Sequence, residues 1–382
     1  MPVPIMLEGF EIFIDEFAFT ATLFQRLLGS TPLDETTGWF GAAGSSLTAT
    51  DAESRITGGK SLAFVRGDGA TDADFERDTG VNLGFEFSNS RQMTVGWGAK
   101  YERAPTTAIP VFQVRYATTT GDAEQLSVWI SPSGKVFLSS IDYQTSFDDQ
   151  TLPVAIVDTD TPSAVMRWGF WNYYELYMDY SLAVPEIRLA VNGVLSATAA
   201  AAGVAKQGSA LISSVQFINA PNLYFGGTGY SHWLDDIYIA TSTSASDFMG
   251  PQRILFLPIE STQLNEWDAT PDSGDYDGET TGASPAAVND EMRFVVEDLP
   301  VDVTAVSGFG VAAILSANDY GGLEMGVRRS LVNSDRRNTT VRVNEMFPRQ
   351  FRYATNNPPF NGSLTPTGID AMILHFIAVN AG

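Results

Sequence analysis

The sequence predicts an all-β fold of two stacked antiparallel sheets, and three observations carry that expectation. Short runs of alternating, β-branched or aromatic residues recur about every ten residues, separated by Gly, Pro and Asp. Two of the joins, Ser133-Gly134 and Asn192-Gly193, have the composition of tight hairpin turns, where a positive φ is cheap. Helical periodicity is scarce, which argues against alternating β-α units.

In chain order, the first candidate element is the exception: Phe17 to Leu28 (FAFTATLFQRLL) reads as one short helix or turn that ends near Gly29. Strand patterns follow at Ser61 to Arg66, Met93 to Tyr101, Val111 to Thr118, Leu126 to Ser131 and Lys135 to Ser140. Trp171 to Gly193 carries two more strands meeting at Asn192-Gly193, and His232 to Ile239 (HWLDDIYI) is an aromatic strand with a tandem aspartate. After Asp247 the composition shifts. Arg253 to Ile259 (RILFLPI) reads as a strand cut by Pro258, and the acidic stretch 263–290 reads as a long surface loop. Further strands are expected at Met292 to Leu299, Ser307 to Asn318, Gly321 to Ser330, Asn338 to Met346 and Met372 to Asn380. The expected organisation is a sandwich over 1–250 and a smaller β-rich anchoring and assembly domain over 251–382.

Composition narrows the function. Lys and Arg total 22 against 45 Asp and Glu, a formal net charge of -23, and so acidic a surface repels phosphate backbones, so no nucleic-acid partner is expected. Apolar residues at 44% and aromatics at 12% exclude a disordered chain. There is no cysteine, which removes disulfides, thiolate metal sites and cysteine nucleophiles. The first residues meet acidic positions early and lack a basic segment, unlike a signal peptide. The apolar runs Val194 to Ala205 and Ala371 to Val379 fall short of the ~18 residues that cross a bilayer, so no membrane insertion is expected.

Three segments carry a resemblance. Trp168 to Leu195 opens a strand with aromatics and a Glu and closes a second at Asn-Gly; Asn222 to Ala240 is a Gly-rich approach to a tandem Asp; Ser246 to Ile259 follows. Together they resemble the concanavalin A-like jelly roll of laminin-G type found in structural proteins of tailed bacteriophages, over about residues 60 to 270. The resemblance implies a curved sandwich that binds carbohydrate or protein at a rim or concave face, and a place in the virion. Gly250-Pro251 stands where those proteins often carry Gly-Asp.

No catalytic, cofactor-binding or metal-binding residue is assigned from the sequence. Some relatives on this fold are glycanases, but Glu11 and Asp15 are too far apart along a strand for a retaining pair, and Asp15 and Glu16 point to opposite faces. Asp235 and Asp236 could ligate calcium, yet the simpler reading has one accepting backbone N–H groups at a strand start and the other facing solvent. Asp272 to Glu279 lacks the spacing of a calcium loop. With only His232 and His375, a Ser-His-Asp triad or a multi-histidine metal site has little material. His232 is placed at a sheet rim and His375 within a strand. No phosphate cradle is present, since Gly41 to Ser46 lacks the Lys. Trp168, Phe170, Trp171, Tyr173, Tyr174 and Tyr177 could stack sugar rings, although most are expected in the core. Arg328, Arg329, Arg336, Arg337, Arg342, Arg349 and Arg352 form either a solvated strand face or one side of a charged subunit contact.

The functional expectation is a non-enzymatic structural protein of a tailed-phage virion, an exterior tail, fibre or capsid component assembled in the bacterial host cytoplasm. Its expected partners are other virion proteins and further copies of itself. The alternatives are a glycan-binding adhesion module for a host surface and, less favoured, a polysaccharide-degrading enzyme.

Overall fold

The computed structural model describes residues 3–11, 13, 15–20, 23, 27, 46–55, 59–66, 83–117, 125–139, 157–158, 166–182, 186–200, 211–218, 225, 229–241, 248–269, 283–315, 321–329, 336–342, 349–359 and 364–380. The described residues are nearly all β, in four antiparallel sheets. The strands of the first two sheets are β1 Val3–Glu8, β2 Phe17–Ala18, β3 Ser46–Thr50, β4 Ser61–Arg66, β5 Leu83–Ser90, β6 Gln92–Tyr101, β7 Ile109–Ala117, β8 Gln125–Ile130, β9 Val136–Ser139, β10 Val157–Asp158, β11 Trp171–Asp179, β12 Glu186–Val191, β13 Val194–Ala200, β14 Leu211–Phe217 and β15 Tyr230–Thr241. A nine-stranded sheet has the order β13-β12-β11-β6-β15-β4-β3-β2, with β1 also paired to β15; a six-stranded sheet has the order β10-β9-β8-β7-β14-β5.

Strand alternation explains how the two sheets stack. On β6, Met93, Val95, Trp97, Ala99 and Tyr101 join the main core, while Thr94, Gly96, Gly98 and Lys100 take the other face. Trp97 packs against Phe112 of β7 with ring centroids 4.6 Å apart and against Tyr174 of β11 at 5.2 Å, and Phe112 meets Phe217 of β14 at 5.1 Å. These rings bridge the two sheets and account for the aromatic content of the strands.

Both expected hairpins form. Gly134 (φ 83°) turns β8 into β9, and Asn192 and Gly193 (φ 52° and 77°) join β12 to β13 with the pair of positive φ values that a type I′ turn needs. The Asn192 side chain also accepts from the Tyr173 N–H at 2.8 Å, which ties the turn to β11.

The remaining elements are β16 Ile259–Asn265, β17 Glu291–Val296, β18 Phe309–Leu315, β19 Gly321–Arg328, β20 Arg336–Arg342, β21 Arg349–Thr355, the short helix α1 Pro366–Asp370 and β22 Ile373–Asn380. They form a five-stranded sheet, β16-β17-β22-β19-β20, and a β18-β21 ribbon. Met292, Phe294, Leu323, Met325 and Phe376 build a second core with Phe309, Val311 and Ala313 of the ribbon. Strand β1 lies against the ribbon as well as β15. A Cβ at Gly308 would fall 2.6 Å from Pro4 Cγ, and Gln350 Nε2 donates to Glu8 at 3.3 Å.

Three sequence expectations change. Within Phe17 to Leu28, residues 17–18 are strand, paired with β3, and only Leu23 and Leu27 are described as helical. Arg253 to Pro258 is not a strand: the Ile254 N–H donates to Asp236 on the outer face of the nine-stranded sheet, and pairing begins at Ile259. The stretch read as a surface loop begins inside β16, and Trp267 bridges to Pro285; residues 270–282, with the Asp272 to Glu279 segment, lie outside the described residues.

Candidate functional site

The outer face of the nine-stranded sheet holds an unusual density of charge and aromatic surface. Two glycines make room for it. Tyr238 lies over Gly96, where a Cβ would fall 2.1 Å from its ring, and Arg55 lies over Gly98, 2.9 Å from such a Cβ. The guanidinium of Arg55 sits 4.4 Å from the centre of the Tyr173 ring and pairs with Asp236.

A strap, residues 248–254, crosses the middle of this face. The Gly250 N–H donates to Glu175 Oε1 at 3.0 Å, the Ile254 N–H donates to Asp236 Oδ1 at 2.6 Å, and Arg55 donates to the Gln252 carbonyl. Tyr238 completes the Glu175 site, its hydroxyl donating to Oε1 at 2.6 Å, while Oε2 is buried with no hydrogen-bond partner among the described residues. Burial raises the Glu175 carboxyl above its ordinary range.

The tandem aspartate sits at a bulge inside β15, not at the strand start. Asp235 accepts from the backbone N–H groups of Arg55 (2.9 Å) and Asp236 (2.7 Å), as expected for one of the pair. Asp236 differs from expectation: it is fully buried and held by Arg55 and Ile254, because φ 49° turns its side chain beneath the strap. Burial and the Asp236 charge raise Asp235, and burial raises Asp236 against the pull of Arg55. Glu11 lies nearby, raised by burial first and then by the Asp235 charge, with Oε1 unpartnered. Among the described residues, no group of His, Asp and Glu is arranged to hold a metal ion.

Other candidates separate. Asp15 accepts from the Asp51 N–H at 2.9 Å and Glu16 from the Thr50 hydroxyl at 2.8 Å; both lie in a turn that anchors the end of β3. His232 is buried in the core between Phe64 (4.4 Å) and Tyr101 (5.5 Å), not at a rim, and burial pulls it down to about 3. His375 is a buried strand histidine with Nε2 3.4 Å from Glu324. Arg328 is buried against Glu291 at 2.8 Å, whereas Arg329 and Arg342 are exposed.

The six aromatics also divide. Tyr174 is core; Trp168 donates to the Pro132 carbonyl at 2.9 Å; Tyr173 lies under Arg55 and Tyr177 under Arg188. Phe170 is 66% exposed and Trp171 is partly exposed. Trp171 has a setting that sequence reading missed. It pairs directly across strands with Lys100, which pairs in turn with Trp233, so the three form one row across β11, β6 and β15 beside the strap. All three are partly exposed. One strand separates the tryptophans, so two inter-strand spacings set them about 10 Å apart. Lys100 Nζ stands 5.2 Å from the Trp233 ring centre and pairs with Glu53. Lys100 and Trp233 lay in recognised strands, but only register places them beside Trp171.

No family model matches the chain, and no curated protein matches it. Among solved structures, it is similar to an endo-β-1,4-glucuronan lyase from the fungus Trichoderma reesei, at 12% identity and a TM-score of 0.37, covering 52% of this chain and 87% of that one. It is similar also to an alginate lyase mutant solved with alginate trisaccharide (11%, TM-score 0.40, 63% and 99%) and to an alginate lyase from Chlorella virus (11%, 0.38, 56% and 98%). At these identities and scores no activity or site passes to this chain. The expectation of a non-enzymatic structural virion protein is corrected by the same comparison, in which polysaccharide lyases and sialidases stand where virion proteins were expected; at these scores it assigns the chain no role.

Proposed function

We propose that this chain binds glycan, and that it does so on the Trp171–Lys100–Trp233 row. The observation that carries the reading is the row itself: two tryptophans on one open sheet face, flanking a lysine, with a carboxylate at its head. A pyranose ring offers an apolar face bordered by hydroxyls. Indole rings cover such a face, while an ammonium and a carboxylate hydrogen-bond the hydroxyls around it. The strap walls one side of the row through Arg55 and Gln252, and on the other side, where β6 ends, Glu102 is exposed. A chain laid across the strands would therefore contact both tryptophans without displacing the strap.

The reading is one of binding rather than bond breaking. Glu53 is engaged by Lys100, and Glu102 accepts from the Ser231 N–H at 2.8 Å. Affinity electrophoresis through gels containing hydroxyethyl cellulose or galactomannan tests the reading. Trp171→Ala and Trp233→Ala are each expected to weaken retardation about tenfold. Retardation unchanged in both variants would overturn the site, and release of reducing or unsaturated ends from either polymer would replace binding by cleavage.

A further inference from the structure

We propose that Glu53 makes the row selective for neutral glycan chains, by occupying the lysine that would otherwise receive a sugar carboxylate. The inference rests on the glycan-binding reading above and deepens it.

Among the described residues, three cations near the row are engaged, while Arg253 on the strap is exposed and lies close enough to Asp236 to act on its charge. The Lys100 ammonium is bound by Glu53 and stands over Trp233, leaving its side chain 17% exposed against 39% for Glu53. A ligand approaching from solvent thus meets the carboxylate more readily than the ammonium. Arg55 is held by Asp236 and the Gln252 carbonyl, and Arg103 donates to the Gly229 carbonyl at 2.6 Å. Exposed Glu102, which follows Tyr101 at the end of β6, adds further negative charge there. The chain as a whole carries -23, which slows the approach of any polyanion.

A polyuronate would have to break the Lys100–Glu53 pair and leave Glu53 facing its own carboxylates, and like charges brought together in this way reject the wrong ligand. A neutral pyranose chain has no such conflict. Its hydroxyls can donate to Glu53 and accept from Lys100 with the pair intact. Glu53 is therefore a specificity-determining residue, and its charge, more than any contact it makes to sugar, sets the preference.

The test compares Glu53→Gln with Glu186→Gln. Both remove one negative charge, but Glu186 pairs with Arg188 at the far end of the same face. Each protein is run through gels containing hydroxyethyl cellulose, galactomannan, alginate or polygalacturonate at two salt concentrations. The wild type should be retarded more by the neutral polymers. Glu53→Gln should raise the ratio of polyuronate to neutral retardation at least about fivefold, with the gain falling as salt rises, whereas Glu186→Gln should move the ratio less than about twofold. Equal shifts in both variants would mean that net charge alone sets the preference, and a ratio unmoved by Glu53→Gln would also overturn the inference. Wild-type protein that prefers polyuronates would refute selectivity while leaving glycan binding in place. Absence of retardation by all four polymers would instead remove the underlying reading.

Discussion

Glu175, beneath the strap, and Glu291, on the five-stranded sheet, are both buried carboxylates placed in opposite electrostatic settings. Glu175 accepts from a tyrosine hydroxyl and a backbone N–H, with no cation bonded to it, and burial prevails: its carboxyl is raised. Glu291 lies on the face of its sheet away from the second core, where Arg328 Nη1 meets Oε1 at 2.8 Å and Arg293 pairs with Oε2. Burial pushes Glu291 up as well, but the bonds and charges of Arg293 and Arg328 outweigh it and hold the group below its ordinary value. The difference teaches that burial alone does not decide the ionisation of a buried acid. The partners set it: two guanidiniums hold Glu291 below its ordinary value, while the neutral donors at Glu175 do not offset its burial.

The largest expected effect tests the charged side of this contrast. Glu291→Gln keeps the shape but removes the charge that compensates Arg328, whose side chain is 1% exposed. Breaking a buried pair by neutralising one partner costs about 3–5 kcal/mol where the other charge is left poorly compensated, and the further interaction that Arg328 keeps holds the expected loss to the lower end of that range. Urea unfolding of the variant should show that loss as a lower midpoint with an unchanged slope. A cost below ~1 kcal/mol would mean that Arg328 reaches solvent or another carboxylate, and the contrast with Glu175 would collapse.

Much of the fold was legible in the sequence because strand signals are local. Alternation marked β4, β6, β8 and β22 to within about one residue, and Asn192-Gly193 announced its own turn. The site was legible only in part. The tandem aspartate and Trp171 stood out, but what surrounds them depends on register and on a crossing segment, both long-range properties. Arg55 meets Asp236 across 181 positions of chain, and nothing in RILFLPI says that the Ile254 N–H will go to a side chain on a sheet face instead of a ladder. His232 misled for a related reason: next to an outward Trp233 it read as rim, yet strand alternation sends it inward among Phe64 and Tyr101.

A smaller effect, set by pH, separates the two regions without mutation. Glu11, Glu175, Asp235 and Asp236 are raised in the folded chain, so between the ordinary carboxylate range and their raised values the folded state binds more protons than the unfolded one. Stability contributed by that difference is fully present below the ordinary range and is lost as pH rises through the window. Glu291 has the reverse sign. Its contribution is present above its ordinary value of 4.5 and disappears only as pH falls through its lowered folded value. The unfolding midpoint should therefore be higher at about pH 5 than at about pH 8, and should fall again under stronger acid. A midpoint that rises steadily from pH 5 to pH 8 would show that the strap carboxylates are ionised without penalty.

The smallest expected effect is the sharpest test, since it places the same substitution on the other side of the comparison. Glu175→Gln retains Oε1 as acceptor for Tyr238 and Gly250 and puts an amide where Oε2 has no hydrogen-bond partner among the described residues. It removes a charge that burial disfavours but introduces an N–H₂ that needs an acceptor. The two changes oppose each other, and the net should stay within about 1 kcal/mol at neutral pH. The fall of stability as pH rises above the ordinary carboxylate range should also become shallower, because one of the raised groups is gone. Net charge alone does not account for such flattening if Glu260→Gln, on the exposed part of β16, leaves the slope intact. A Glu175→Gln cost comparable to that of Glu291→Gln would mean that Glu175 holds the strap as a carboxylate, and that the two regions use buried acid in the same way.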